Sequence, residues 1–352
     1  MVHSIRRASL LALAAAVLVT ACSGTTTPGG SADAGSSAGT GTGSDDKTIF
    51  FGTGTTQAEV YLLPVLIRGR EILAEQGISL EYAALSNDEV VSAAVASGRV
   101  DVALNSLTGT QRAVKAGIGM RWVLTNETQN TFVFVTHKDV SDLTQLRGKK
   151  IGLQDPTSLV TPLLPGYLAE AGLTVDDVEV VYLAGSGARA AALTAGTLDA
   201  TFLFRQVAVG LEKESDGEFA IWGGGAKTLE PMMWEGFVMS DAFRAKPDLA
   251  TAFIKAALQS YEEFYAGDPA QLAEAYLAEE RPETSGLDPA ETAEDLAAFQ
   301  STKVFPTDGG VDQELFDRMN ELLVSAGQLT QDEVLPYGDV VDRSFVDAAT
   351  AD

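Results

Sequence analysis

The chain reads as an α/β protein of two doubly wound lobes followed by a helical tail, and three observations predict this. From Lys47 onward, short apolar runs alternate with stretches of helical period. The alternation restarts once, near residue 142. From about Pro247 the strand signals give way to amphipathic helices. Strand–helix–strand repetition specifies a parallel sheet with helices on its faces, because parallel strands need a crossover of helix length. The ~300 residues after Lys47 suit two lobes better than one small domain. A hydrophobic content of 45% supplies real cores.

Each element has its own justification. "TIFFGT", 48–53, is a strand by its continuous apolar and β-branched run, and "AEVYLLPVLIRGREILAEQG" has helical spacing and stops at Gly77. "ISLEYAAL" is a strand, and "NDEVVSAAVASG" a helix opened by Asn87 or Asp88 and closed by Gly98. "VDVALNS", "MRWVLTNE" and "TFVFVTH" are strands, with "LTGTQRAVKAG" a helix between the first two. The second unit brings a strand at Lys150–Leu153, a helix "SLVTPLLPGYLAEAG" broken near Pro165, and the strand "VEVVYLAG". Helix "ARAAALTAG", strand "LDATFLF", helix "QVAVGLEKE" and strand "FAIWGG" complete it. After a short strand in "GFVMSDAF", "PDLATAFIKAALQSYEEFYA", "PAQLAEAYLAEE", "PAETAEDLAAFQ" and "DQELFDRMNELLVSAG" are helices expected to pack back on the first lobe.

The start of the chain is of a different kind. Arg6 and Arg7 precede an apolar run, Leu10 to Val19, of about 10 residues, where a membrane-crossing helix needs ~20. A basic region, a short apolar region and then small residues form an export signal. Its end, Leu18-Val19-Thr20-Ala21-Cys22, resembles the lipobox of bacterial lipoproteins. In that family the cysteine sulfur receives a diacylglycerol, the signal is cut before it, and the new amino group is often acylated. Residues 1–21 are thus expected to be a signal peptide and Cys22 a lipid attachment point. Two or more acyl chains anchor stably, where one does so only marginally. Residues 22–46 are almost wholly Gly, Ser, Thr, Ala and Asp, a composition that cannot bury enough surface to fold. They are expected to be a tether with a reach of roughly 25–30 Å.

Composition excludes several function classes. A net charge of −25 argues against nucleic-acid binding, which needs a basic face. It favours solubility and says nothing of the sign inside a pocket. One cysteine and two histidines, His3 and His137, leave no Cys/His metal spacing, and from Lys47 onward the chain has neither a G-x-S-x-G nor a phosphate-loop motif. No cofactor and no metal are expected.

"ASGRVDVALNS", "LTQLRGKKIGLQ", "AGSGARAAALTAGTLDATFLF" and "SDAFRAKPDLATAFIKAALQSYEEF", in this order and spacing, resemble the NMT1/THI5-like branch of ABC-transporter solute-binding proteins. That branch is similar to the nitrate, taurine and aliphatic-sulfonate binders and the thiamine-pyrimidine binders. The resemblance runs from about Thr48 to Leu329. It implies the type II periplasmic-binding fold, two lobes joined by two crossovers with the ligand between them. The first lobe is expected at 47–135 plus 233–352 and the second at 136–232.

Ligands of open α/β sheets sit beyond the carboxyl ends of the strands, where helix starts offer free N–H groups. Thr53, Thr55, Thr56 and Gln57 stand at the first such place, and Asn105 and Ser106, with Thr108, at the third strand's end. Asn126 follows in "LTNET", as a cleft residue or a hinge cap. In the second unit Asp155, Thr157 and Ser158 are cap residues, with Ser158 also a ligand candidate, and Ser186 and Arg189 follow in "AGSGARAA". Arg189 is a candidate for an anionic ligand; the resemblance equally allows a surface position. Arg205 and Gln206 end the strand "LDATFLF", where relatives often carry an acidic-proline phrase. An arginine there favours a carboxylate, sulfonate, phosphate or nitrate, unless it pairs with a local acid. Trp234, beside Glu235, is either a platform for a planar ligand or hinge packing, and Tyr61 lines cleft or core. Trp122 and Trp222 are expected in the core.

The expected function is an extracytoplasmic solute-binding lipoprotein of an ABC importer. It captures a small polar solute, anionic or planar heterocyclic, by lobe closure, as a monomer held at the cell membrane beside an ABC permease. A ligand sensor partnering a surface receptor is the first alternative. A pyrimidine-synthase-like enzyme is the second, weakened because that enzyme carries a cysteine-rich iron motif and a catalytic histidine. No enzyme activity is expected.

Overall fold

The computed structural model describes residues 47–54, 59–85, 87–156, 158, 160–183, 185–222 and 231–351. The signal peptide, Cys22, the tether, Thr55, Thr56, Gln57 and Thr157 lie outside the described residues, as does the side chain of Gln206.

Two five-stranded sheets organise the chain. The first has the order β2-β1-β3-β10-β4, from β1 (Thr48–Thr53), β2 (Ser79–Ala84), β3 (Val102–Ser106), β4 (Met120–Glu127) and β10 (Glu235–Ser240). The second has the order β7-β6-β8-β5-β9, from β5 (Phe132–His137), β6 (Lys150–Leu153), β7 (Glu179–Tyr182), β8 (Ala200–Phe204) and β9 (Phe219–Trp222). Neither sheet is purely parallel, as the repetition alone predicts. β10 runs antiparallel between β3 and β4, and β5 runs antiparallel between β8 and β9. Each of these strands enters its sheet directly after a crossover, so it runs against its neighbours. This also moves the first boundary. Residues 132–135, expected in the first lobe, belong to the second sheet, where Phe132 pairs with Phe204 and Val135 with Thr201.

Helices form where the caps and periods indicate. α2 (Asp88–Ala96) is capped by the Asn87 side chain, which accepts from the Val90 amide at 3.0 Å. α3 (Leu107–Lys115) is capped by Ser106, and α5 (Ser186–Thr194) and α6 (Arg205–Glu214) follow β7 and β8. Two prolines act differently from a uniform reading of the period. Pro64 removes an amide donor, and the expected single helix becomes a 3₁₀ turn at Val60–Leu62, a π-helical stretch at Pro64–Gly69 and α1 (Arg70–Glu75). Pro165 does not break its helix. α4 spans Leu163–Glu170, so Pro165 sits in the first turn, where an amide would have no intrahelical partner.

Between α7 (Asp241–Arg244) and α9 (Pro269–Tyr276), α8 (Pro247–Ala266) buries Ala250, Phe253, Ile254, Ala257, Tyr261 and Phe264 at three- and four-residue spacing. Its Phe253 meets Phe51 and Phe237 at ring-centroid distances of 6.2 and 5.5 Å, which ties it to the first sheet. The segment from α10 (Pro289–Thr302) to α11 (Gln313–Ser325) is fastened to β4: Thr125 donates to the Gly310 carbonyl at 2.5 Å and Thr128 to the Val304 carbonyl at 3.1 Å. Gln111 of α3 donates to Asn320 at 2.7 Å. The tail does not touch the first sheet's side alone. Lys213 of α6 pairs with Glu294 of α10 at 2.7 Å, and Gln328 donates to the Pro156 carbonyl.

Candidate functional site

Strand direction brings chemistry to one edge of each sheet. In the first, Thr53, Ser106 and Glu127 end β1, β3 and β4, and Glu235 begins the antiparallel β10. Register sets Glu235 opposite Ser106 on one side and Glu127 on the other, so the three side chains share one face. Directly opposed residues hold their Cβ atoms about 5 Å apart. In the second sheet the corresponding edge carries Phe204 and Phe132, whose half-buried rings stack with centroids 4.2 Å apart, and the turn after β6 with Asp155. Burial, with a smaller push from the charge on Asp155, raises the Asp88 carboxyl.

The first sheet's edge is acidic. Glu127 is 4% exposed, and its Oε1 has no hydrogen-bond partner. Burial holds its carboxyl well above the usual carboxylate range, and the charges on Glu235 and Glu59 push the same way. Glu235, partly open to solvent, is raised by burial, then by Glu59 and Asp88, against a hydrogen bond with Tyr61. Tyr61, just after β1, donates its hydroxyl to Glu59. Asp88, at the start of α2, accepts from the Ser106 hydroxyl at 2.6 Å. Among the described residues, no basic side chain forms an ion pair with Glu127, Glu235 or Asp88. Three buried donors near the same edge also lack partners: Asn105 Nδ2, Asn126 Nδ2 and Trp234 Nε1.

A family model described as NMT1/THI5 like matches residues 72–271, more than half of the chain. The chain belongs to the NMT1/THI5-like family. No curated protein sequence matches it. Among solved structures, it is similar to the ligand-binding component of an ABC-type import system from Staphylococcus aureus, with a TM-score of 0.69 at 14% identity, over 86% of this chain and 99% of that one. It is similar to a periplasmic sulfonate-binding protein from Methylobacillus flagellatus, with a TM-score of 0.66 at 19% identity, over 87% and 94%. It is similar to a periplasmic nitrate-binding protein from Synechocystis, with a TM-score of 0.64 at 13% identity, over 87% and 88%. The NMT1/THI5-like chain therefore has the type II periplasmic-binding fold expected from its sequence.

Within this NMT1/THI5-like fold the candidate residues separate. Thr53, Asn105, Ser106, Asn126 and Trp234 gather at the first sheet's edge, all buried. Thr53 shares a hydrogen bond with the Tyr82 hydroxyl at 3.1 Å. Asn105 Oδ1 accepts from the Ser106 amide at 3.0 Å, and Asn126 Oδ1 from the Tyr261 hydroxyl at 2.7 Å. Trp234 is anchored by its amide, which donates to the Glu127 carbonyl at 3.1 Å. Ser158 closes a local turn, donating to the Asp155 carbonyl at 3.1 Å. Arg189 is neither a surface residue nor a free anion ligand. It is fully buried, and its guanidinium donates to the Phe202 carbonyl at 3.2 Å, the Leu183 carbonyl at 3.0 Å and the Ser186 hydroxyl at 3.1 Å. Burial lowers its pKa to about 10. Ser186 is thereby occupied as its acceptor. Arg205 begins α6, exposed and in no ion pair among the described residues. Trp122 is fully buried in the core, as expected, whereas Trp222 is only partly buried, with its indole donating to Thr136 at 2.9 Å.

Sequence reasoning passed over Glu59 and Glu127, named Asp88 only as a helix opener and named Glu235 only as a neighbour of Trp234. A signal did exist. Glu127 closes an otherwise uncharged apolar run after Arg121, and a carboxylate at the carboxyl end of a buried strand is seldom left there without a partner.

Proposed function

We propose that this protein is the extracytoplasmic solute-binding component of an ABC importer, tethered by a lipid on Cys22 and working as a monomer beside a permease. One observation carries the reading. Near the carboxyl ends of the first sheet's strands, buried Glu127, Asn105, Asn126 and Trp234 keep hydrogen-bonding atoms with no protein partner. Leaving buried polar atoms unmade costs stability, and a bound solute would satisfy them. The family match and the importer, sulfonate-binding and nitrate-binding proteins of the same fold support it. The lobes comprise the two sheets with their helices, and solute capture closes one on the other. Contacts such as Lys213–Glu294 and Gln328 to Pro156 would hold the closed form.

A catalytic role has little support among the described residues. His137 ends β5 at the edge away from the cleft, packed on Phe219 at 5.0 Å. The test is native mass spectrometry of the protein purified from its own cells, followed by uptake of the captured solute with and without the gene. One bound small solute, whose uptake falls at least tenfold on deletion, is expected. Capture with unchanged uptake would remove the importer role.

A further inference from the structure

We propose that the cleft selects a positively charged organic solute, such as an amine, guanidine or amidine, held by Glu127 and Glu235 and flanked by Glu59 and Asp88. This inference rests on the solute-receptor reading and reverses the sign of ligand expected from Arg189 and Arg205.

The geometry is a row and not a point. Glu127 and Glu235 are register partners across β4 and β10, Glu235 is also the partner of Ser106, and Ser106 carries the Asp88 carboxylate on its hydroxyl. Glu59 reaches the row through Tyr61. Among the described residues no group of three or more His, Cys, Asp and Glu side chains converges closely enough to hold a metal ion. Carboxylates spread along a strand edge match a cation whose charge and N–H donors are spread over several atoms.

A second observation is independent of the charge. Glu127 Oε1 is buried within this row without a donor. A buried carboxylate oxygen needs an N–H or O–H at hydrogen-bond distance, and like charges directly opposed are destabilising until a counter-charge arrives. The unpartnered amide of Asn105 lies beside Asp88, since a Cβ on Gly109 would stand 2.7 Å from Asn105 Oδ1 and 2.8 Å from Asp88 Oδ2. Together with Trp234 Nε1 it offers donors to an acceptor on the same solute, so the best fit carries a hydroxyl, carbonyl or ring nitrogen besides its cationic end. Phe132, five residues beyond Glu127, stacks on Phe204 at the edge of the second sheet, where their faces suit a cation or a planar group.

Of the two basic candidates for an anion, Arg189 is spent on two carbonyls and a hydroxyl, and Arg205 begins α6 beside Phe204 at the second sheet's edge, in no ion pair with the carboxylate row among the described residues.

The experiment is titration calorimetry of the full chain in non-ionic detergent. One set of probes is agmatine, putrescine, choline and benzylamine. A second set is nitrate, ethanesulfonate and benzoate, and zinc chloride is added alone. The expected result is binding from the first set, weakened at least tenfold by Glu235→Gln and by Glu127→Gln and changed less than threefold by Arg205→Gln. Both glutamine variants keep the shape of the side chain, and a retained melting transition separates lost binding from lost folding. Binding of nitrate, ethanesulfonate, benzoate or zinc with the organic cations silent overturns the cation assignment and leaves the receptor reading standing. Silence from all probes overturns the receptor reading along with it.

Discussion

Glu127 and Glu235 stand opposite each other across β4 and β10, two carboxyls on one sheet face with no basic partner among the described residues. The backbone permits this because Gly236 follows. A Cβ there would lie 2.2 Å from the Trp122 ring, so the glycine lets β10 settle against the core tryptophan while Glu235 turns to the cleft. The pair is a stability defect maintained at a binding edge.

The first prediction follows from that defect. Glu127→Gln removes the buried member of an opposed carboxyl pair and should stabilise the solute-free protein by about 1–2 kcal/mol at pH 8. A carboxyl whose folded pKa lies above its unfolded one favours folding while protonated and opposes it once the pH exceeds the folded value. The gain should therefore be larger at pH 8 than at pH 5. Urea unfolding at both values checks this, and a loss of stability at pH 8 would show that the pair is not in conflict.

The same groups set the pH dependence of cation binding. Glu127 and Glu235 are faced by Glu59 and Tyr61 from the segment after β1, by Asp88 from α2 and by Tyr261 from α8. All are acids, so proton loss from the raised carboxyls is the event that creates the cation site. Affinity for an organic cation should rise with pH, with proton release on binding. Calorimetry in two buffers of different ionisation enthalpy reads it directly; proton uptake would contradict the sign.

Arg189 makes a different prediction because its bonds are internal. Arg189→Met keeps apolar bulk but strands the Leu183 carbonyl and leaves the Phe202 carbonyl with the 3.4 Å bond from the Thr201 hydroxyl. The expected cost is roughly 2–4 kcal/mol in unfolding free energy, with affinity for the bound solute retained. A stable variant that no longer binds would return Arg189 to the ligand.

Asp295 of α10 is 4% exposed, and burial, reinforced by Glu291 and Glu294, raises its carboxyl to about 7. The unfolded value is about 3.9, so folding takes up a proton between the two. Stability from this group is full below pH ~4 and is lost as the pH rises through ~7. Asp295→Asn should match the parent at pH 4 and exceed it by roughly 1–3 kcal/mol at pH 8. Parallel stability–pH curves for the two proteins would exclude the effect.

Cys22→Ala tests the address. If the sulfur carries the lipid, the variant should leave the membrane fraction for the medium or periplasm. Persistence on membranes after a high-salt wash would mean another anchor.

Much of the architecture was legible because local patterns carry it. Alternating apolar runs, Asn87 as a cap and Gly98 as a stop mark strands and helices without reference to distant residues. The antiparallel insertion of β5 and β10 was not legible, since nothing in "TFVFVTH" or "GFVMSDAF" states which sheet or direction the run will join. Pro165 was misread for a related reason: its effect depends on where the helix begins, and that is settled by packing.

The site divides along the same line. The amino-acid sequence determined that hydroxyls and amides such as Thr53, Asn105 and Ser106 would stand at strand ends, because helix caps and strand periods are local. Only the tertiary structure decided the sign of the cleft. It buried Arg189 under three acceptors, left Arg205 in solvent, and set Glu127 beside Glu235, more than a hundred residues apart in the chain. Charge in a pocket depends on which side chains a fold brings together and which it neutralises, and no count of residues along a chain contains that distance.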